Sequence, residues 1–437
     1  MTNSSTIRLK ALYHTFGCKL NFSETSTLAA LLEDRGVARA ERGERPDLIV
    51  INSCSVTEEA DKKCRQTVRM YSRRYPEASI VLTGCYAQLK PEEASGLPGV
   101  VIVAGNDRKL KLVDYIDRWI GERQRQLEIT PVKEIREFTP SCSRDDRTRH
   151  FLKVQDGCNY FCTYCTIPMA RGRSRSATID DCVDQARRVA EEGGREIVIT
   201  GVNIGDFGWG RDDTFFDLMR ALDEVEGIDR YRISSIEPNL LTDDMIRWVA
   251  ESRAFMPHFH VPLQSGSDTV LKLMRRRYLT DLFRSKMELI REVMPQAFIG
   301  VDLIVGARGE TPEEFENSLR FVESLPISRL HVFPYSERPG TRALTDIDYV
   351  VSQHDKHERS RRMIEISDRK LADFCNGFEG QVRPVLMEHT VRDGRRYGFT
   401  DNYIKVSVED CEGLQPNTIV NVRLSGYADE EMKGELV

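Results

Sequence analysis

Cys158-Asn159-Tyr160-Phe161-Cys162-Thr163-Tyr164-Cys165 is the stretch on which the reading of this chain turns. Three thiolates on one short loop can each bind one iron of a [4Fe–4S] cube and leave the fourth iron open to a substrate. Zinc is the alternative, but a tetrahedral zinc site wants a fourth Cys or His close by, and none follows. The apolar run 151–154 precedes the loop and reads as a strand, so the thiols sit at a strand's carboxyl end.

Working toward the C-terminus, β-rich runs recur at 197–200, 231–236, 258–263, 298–305 and 330–334. Helical patterns such as 179–192, 215–225 and 312–325 follow most of them. Six strand–helix units predict a partial (β/α)6 barrel whose active site lies at the carboxyl ends of its strands. Thr200-Gly201-Val202-Asn203, Ser234-Ser235-Ile236-Glu237-Pro238 and Val261-Pro262-Leu263-Gln264-Ser265-Gly266 occupy such ends. Each alone is ordinary turn chemistry. Together they make Thr200, Gly201, Asn203, Ser234, Glu237, Gln264 and Ser265 candidates for one cofactor pocket. A charged helix at 353–374 closes this domain, and 377–437 reads as a small antiparallel β-barrel.

Toward the N-terminus, runs at 9–14, 48–52, 80–83 and 100–103 alternate with helical patterns at 23–35, 58–75, 91–95 and 109–120. That alternation predicts a parallel-sheet α/β domain over 1–120, followed by a linker over 121–145 and the barrel domain over 146–376. Cys18, Cys54 and Cys85 each follow a strand of this first domain. In a parallel sheet all three fall on the carboxyl edge, where ligands gather, so they can hold a second [4Fe–4S] cluster. Three unrelated buried cysteines is the plainer alternative. Cys64, Cys142, Cys182, Cys375 and Cys411 show no such placement and read as incidental.

Eleven cysteines in 437 residues are too sparse for a disulfide scaffold and fit a reducing compartment. No apolar run is long enough to span a membrane, and MTNSSTIRLK lacks a secretory core, so a cytoplasmic protein is expected. The net charge of −6 does not advertise nucleic-acid binding. Basic stretches stand out locally: Lys62, Lys63, Arg65, Arg69, Arg73 and Arg74; Arg171, Arg173 and Arg175; and Arg275, Arg276 and Arg277. Each suits a polyanion, and each taken alone also suits a solvated face.

The spacing of Cys158, Cys162 and Cys165 resembles that of the radical S-adenosylmethionine superfamily. With Gly17-Cys18-Lys19-Leu20-Asn21, Asn52-Ser53-Cys54 and Thr83-Gly84-Cys85, nearly the whole chain resembles the methylthiotransferase family. The segments starting at Gly380 and Gly398 are similar to its C-terminal TRAM domain. Gly17-Cys18-Lys19-Leu20-Asn21 and Gln155-Asp156-Gly157-Cys158-Asn159 look most like the branch acting on N6-threonylcarbamoyladenosine in tRNA. The resemblance implies two [4Fe–4S] clusters, on Cys18/Cys54/Cys85 and on Cys158/Cys162/Cys165, with S-adenosylmethionine bound at the second. It implies methylthiolation of C2 of that adenosine at position 37, the tRNA anticodon stem-loop as partner, a reducing electron donor and a sulfur source. Isopentenyladenosine in tRNA and an aspartate of a ribosomal protein are the other substrates in view. A non-catalytic RNA-binding iron–sulfur scaffold is the reading from a different class.

Two features depart from the family's pattern. Gly306-Ala307-Arg308-Gly309-Glu310 has Ala-Arg where Phe-Pro is usual, which offers Arg308 to a phosphate. The segment 379–435 carries more acids than bases, so RNA contacts there would rest on stacking by Tyr397, Phe399 and Tyr403, which suit a core equally well. Phosphate contacts are then expected of Arg171, Arg173, Arg175, Arg275, Arg276 and Arg277.

Overall fold

Val and Ile runs with no polar interruption become parallel strands covered on both faces. The computed structural model describes residues 9–41, 43–143 and 148–437, so most of the N-terminal segment examined for a secretory core lies outside the described residues. It divides into two units, one of residues 1–146, 151–159 and 165–177, the other of 147–150, 160–164 and 178–437.

The first unit is built on a six-stranded sheet of order β2-β1-β3-β4-β5-β6. The strands are β1 (Lys10–Thr15), β2 (Ala38–Arg39), β3 (Leu48–Ser53), β4 (Ser79–Gly84), β5 (Val100–Ala104) and β6 (Gln126–Glu128), and every pairing is parallel. Successive residues of β3 serve opposite faces. Val50 joins Leu28 and Leu32 of α1 (Lys19–Asp34) and, farther along the chain, Leu112 and Ile116. Ile49 and Ile51 join Cys64 and Val68 of α2 (Glu58–Arg74), Tyr86 of α3 (Cys85–Leu89) and Ala94 of α4 (Pro91–Ser95). Leu112 and Ile116 belong to α5 (Leu112–Glu122). Thr57 caps α2 by accepting from Ala60 N, with acids in its first turn and Arg73 and Arg74 in its last, the polarity a helix dipole favours.

The stretch read as a linker carries structure of its own. β6 pairs with β5, and β7 (Ser141–Cys142) pairs antiparallel with β8 (Arg149–Lys153). Elements of two or three residues leave no periodicity to detect. Beyond them, β9 (Gln155–Asp156) and β10 (Arg175–Ser176) pair antiparallel and enclose a short helix, α6 (Ile167–Arg171).

In the second unit β11 (Glu196–Thr200) runs parallel to β12 (Arg230–Ile233), and β13 (His258–Gln264), β14 (Phe298–Val305) and β15 (Arg329–Pro334) run parallel in that order. A parallel bridge between Ser235 and His260 continues β12 to β13. The long helix Gln353–Asn376 leads into a closed barrel of order β16-β17-β18-β20-β19, made of Val382–Arg392, Arg395–Thr400, Lys405–Glu409, Glu431–Leu436 and Ile419–Ala428 respectively. The pair β18–β20 is parallel, which the expectation of a purely antiparallel barrel lacks.

This barrel is fastened by buried arginines. Arg230 donates to Phe399 O (3.0 Å) and Pro384 O (2.9 Å), and Arg232 donates to Thr400 O and Asp401 O (2.8 Å each). Tyr403 stacks on Phe399 with centroids 4.9 Å apart and packs tilted against His258 at 4.3 Å, while Arg149 lies 4.4 Å over Phe399. Phe399 and Tyr403 are therefore packing groups, not free platforms for RNA bases. Tyr397 is half-buried under Lys405.

Candidate iron–sulfur centres

In the first unit the sheet delivers Cys18, Cys54 and Cys85 to its carboxyl edge. Cys54 follows β3 directly, Cys85 opens α3 after β4, and Cys18 is the N-cap of α1 after β1. Two glycines let the strand ends close up. A Cβ on Gly17 (φ +91°) would stand 2.8 Å from Cys54 Cβ and 2.9 Å from its sulfur, and one on Gly84 (φ +98°) would stand 2.3 Å from Ser53 O. Burial pushes the Cys54 thiol up to about 11, and Cys85 and then Cys18 add to the shift, so the three thiols lie within each other's fields. Asn106 Nδ2 reaches Cys85 Sγ at 3.7 Å. Among the described residues no three His, Cys, Asp or Glu side chains stand close enough to hold a single metal ion. A cube spreads its ligands over three irons, so its thiolates stand wider than the ligands of one ion, and a search for single-ion sites does not bear on it.

Beside these thiols lies a buried ionic cluster. Glu24 accepts from Arg171 (3.0 Å), Lys153 (2.8 Å) and Lys109; Asp156 accepts from Lys153 (2.8 Å), Arg171 (3.0 Å) and Arg175 (3.2 Å). Burial alone would raise both carboxyls, but these cations overcome it and hold both well below the usual carboxylate range. Four cations face two carboxylates, and the fields of Arg171 and Lys109 also reach Cys85. Arg171, expected on RNA phosphate, is only 1% exposed and belongs here. Glu24 went unnoticed in the sequence, although Leu20, Glu24 and Leu28 fall at a helical i, i+4 spacing on the buried stripe of α1.

The Cys158–Cys165 loop is held at its ends within the first unit. Cys158 N donates to Gly172 O at 3.0 Å and Ile167 N reaches Cys165 Sγ at 3.5 Å. Its middle, 160–164, is held within the second. Thr163 N donates to Met274 O (3.1 Å), Thr163 Oγ1 to Leu273 O (2.9 Å), and Asn239 Nδ2 to Tyr160 OH (2.7 Å). Arg276 Nη1 reaches Cys162 Sγ at 3.2 Å and pairs with Glu237. Arg276 Nε also donates to Tyr278 OH (3.1 Å), which donates to Pro262 O at the end of β13 (2.6 Å). Burial raises the Glu237 carboxyl and Arg276 opposes that shift.

Of the candidate pocket residues, then, the structure ties Glu237 to Cys162 through Arg276. Thr200, Gly201 and Asn203 stand at the end of β11, Ser234 after β12, and Gln264 and Ser265 at the end of β13. Gln264 adopts φ +66° beside a register shift, and buried Ser265 accepts from Ser267 N at 3.2 Å. The arginine triplet is divided: Arg276 is interior and cannot face phosphate, whereas Arg275 and Arg277 are exposed, Arg277 4.0 Å over the Tyr160 ring and Arg275 paired with Asp346 at 3.3 Å. Arg308 is likewise occupied, with a two-point ion pair to Glu337 (2.9 Å each). One polar group escaped the sequence reading: His260 Nε2 lies 2.9 Å from Asp302 Oδ1 and stacks on His331 at 5.2 Å. Its signal was a polar residue inside each of three apolar strand runs.

Glu310 offers a pH test of this end of the barrel. Its carboxylate accepts from Gly306 N (2.5 Å) and Ala307 N (3.2 Å), with Arg359 at 3.3 Å; burial outweighs them and pushes the carboxyl up to about 7. A raised folded-state value favours the protonated fold. Its contribution is full below the unfolded value and is lost as pH rises through about 7. Wild type is expected to lose roughly 2–3 kcal/mol more between pH 5 and 8 than Glu310→Gln, read from denaturant midpoints. Parallel pH curves for the two proteins would refute this.

Residues 152–322 match the radical SAM superfamily, and residues 10–105 match the family described as uncharacterized protein family UPF0004. The chain is 38% identical over 430 residues to the threonylcarbamoyladenosine tRNA methylthiotransferase MtaB of Bacillus subtilis (strain 168), covering 96% of this chain and 95% of that one. It is 35% identical over 447 residues to the tRNA-2-methylthio-N(6)-dimethylallyladenosine synthase of Thermobifida fusca (strain YX), covering 99% and 89%. Among solved structures, the radical S-adenosylmethionine methyltransferase TsrM from Kitasatospora setae shares the fold at a TM-score of 0.56 and 15% identity, covering 89% of this chain and 81% of that one. On its near full-length identity to these relatives and the match of its barrel region, the chain belongs to the radical S-adenosylmethionine methylthiotransferase family of enzymes.

Proposed function

We propose that this enzyme methylthiolates C2 of N6-threonylcarbamoyladenosine at position 37 of tRNA. The observation that carries the reading is the presence of two three-cysteine sets in a chain 34–38% identical to relatives named for that substrate. Cys158, Cys162 and Cys165 would hold the cluster that receives S-adenosylmethionine, and Cys18, Cys54 and Cys85 the second. When bound, these cofactors supply reductive cleavage of S-adenosylmethionine and the sulfur for transfer. The protein's part is positioning. Arg276 donates toward Cys162 and fixes Glu237 beside it. The polar groups ending β11, β12 and β13 would receive S-adenosylmethionine, Thr200, Gly201, Asn203, Ser234, Gln264 and Ser265 among them.

For the tRNA backbone, α2 is better placed than the buried arginines. Lys63, Arg69, Arg73 and Arg74 are exposed there and have no carboxylate partner among the described residues. No described helix is long and apolar enough to cross a membrane. A tRNA substrate places the enzyme in the cytoplasm, served there by an electron donor and a sulfur source. Dimethylallyladenosine is the second reading, favoured by the 35% identity to the Thermobifida fusca enzyme.

The test is mass spectrometry of nucleosides from bulk tRNA of cells lacking the gene and of cells restored with it. Loss and return of 2-methylthio-N6-threonylcarbamoyladenosine is the expected result. Loss of the dimethylallyl form instead would select the second reading. Unchanged tRNA nucleosides would reject both and direct the search to ribosomal proteins.

A further inference from the structure

We propose that Arg171, at the end of α6, is the positioning residue that fixes the Cys18/Cys54/Cys85 set relative to Cys158 and Cys165. Its side chain reaches two of the cysteine loops through a single amide. Arg171 Nη2 donates to Asn21 Oδ1 at 2.7 Å. Asn21 Nδ2 in turn donates to Phe16 O at 2.8 Å, just before Cys18, and to Ser53 O at 3.2 Å, next to Cys54. The backbone of α6 reaches the third loop, because Asn106 Nδ2 donates to Ala170 O at 2.8 Å while lying 3.7 Å from Cys85 Sγ.

The same short segment holds the ends of the other cysteine loop. Ile167 N, in its first turn, reaches Cys165 Sγ at 3.5 Å, and Gly172 O, immediately after it, accepts from Cys158 N at 3.0 Å. Residues 167–172 thus touch Cys158 and Cys165 directly and reach the loops of Cys18, Cys54 and Cys85 through Asn21 and Asn106. A guanidinium suits the post. Its planar fork serves Asn21, Glu24 and Asp156 at 2.7, 3.0 and 3.0 Å simultaneously, which the point charge of a lysine cannot reproduce. Group transfer between two centres depends steeply on their alignment, so a fixed link of this kind bears on yield as well as on folding.

A purely structural ion cluster would move stability alone, and the readouts are chosen to separate the two. The inference rests on the two-centre reading above. Full-length wild type, Arg171→Lys and Asn21→Leu would be loaded with iron and sulfide anaerobically and assayed on tRNA. Three quantities are read: iron per chain, the electron paramagnetic resonance spectrum of the reduced protein, and methylthio nucleoside formed per 5′-deoxyadenosine. Arg171→Lys is expected to keep wild-type iron and to form 5′-deoxyadenosine, with product per 5′-deoxyadenosine reduced roughly tenfold or more and an altered spectrum. Asn21→Leu keeps the ion pairs but removes the amide that accepts from Arg171 and donates to Phe16 O and Ser53 O, so it is expected to show the same loss of yield even if Arg171→Lys fails to fold. Iron-loaded variants with an unchanged ratio and spectrum would overturn the proposal alone. Wild type carrying iron for only one cluster would overturn the two-centre reading and this proposal with it.

Discussion

Glu24→Gln is expected to destabilise the protein by about 3–5 kcal/mol, the range for a buried ion pair that loses one partner. Gln is nearly isosteric, so the loss is one of charge and not of packing. In wild type the Glu24 carboxylate accepts from Arg171, Lys153 and Lys109, all buried. Without it Asp156 alone answers Arg171 and Lys153, and Lys109 is left with no carboxylate partner among the described residues. Urea unfolding of the two proteins measures the difference, and a shift under about 1 kcal/mol would show that the cations do not depend on Glu24. The pH dependence has the opposite sign to that of Glu310. Glu24 and Asp156 have depressed values, so their contribution is present above the unfolded carboxylate value of about 4 and is lost only as pH falls through the lower folded values. Wild type should accordingly keep this contribution into mild acid.

Cysteine substitutions should separate the two centres as completely. Cys158→Ala is expected to abolish both 5′-deoxyadenosine formation and methylthiolation. Cys54→Ala should lose about half the iron and all methylthiolation while still cleaving S-adenosylmethionine, because its partners Cys18 and Cys85 belong only to the first set. Anaerobic assay of both products by chromatography decides the matter. Methylthiolation persisting in Cys54→Ala would remove the Cys18/Cys54/Cys85 set from the chemistry.

What the sequence disclosed follows from range. A parallel sheet places residues after successive strands on one edge, so β3 and β4, as uninterrupted apolar runs, sufficed to bring Cys54 and Cys85 together. Burial of a charge leaves no comparable trace. Arg171 reads as part of a basic stretch because its partner Glu24 lies 147 residues away, and Arg276 is 39 residues from Glu237. The C-terminal barrel was legible in outline only. The run 398–408 is two strands, turned where Tyr403 adopts φ +69° without a glycine to mark it. The strand Glu431–Leu436 carries too many charged residues to read as one.

The span between Glu24 and Arg171 also has a consequence for synthesis. At about 5–20 residues per second, Arg171 leaves the ribosome roughly 7–30 seconds after Glu24. During that interval the strands from β2 to β6 are made, and the cations of Glu24 appear one after another. Glu24 meets Lys109 first, Lys153 next and Arg171 last, so its set of cations is complete only when residue 171 arrives. The ionic core beneath the first cysteine set is therefore finished only by the segment that also bears Cys158 and Cys165, so the two sets share their last step of assembly.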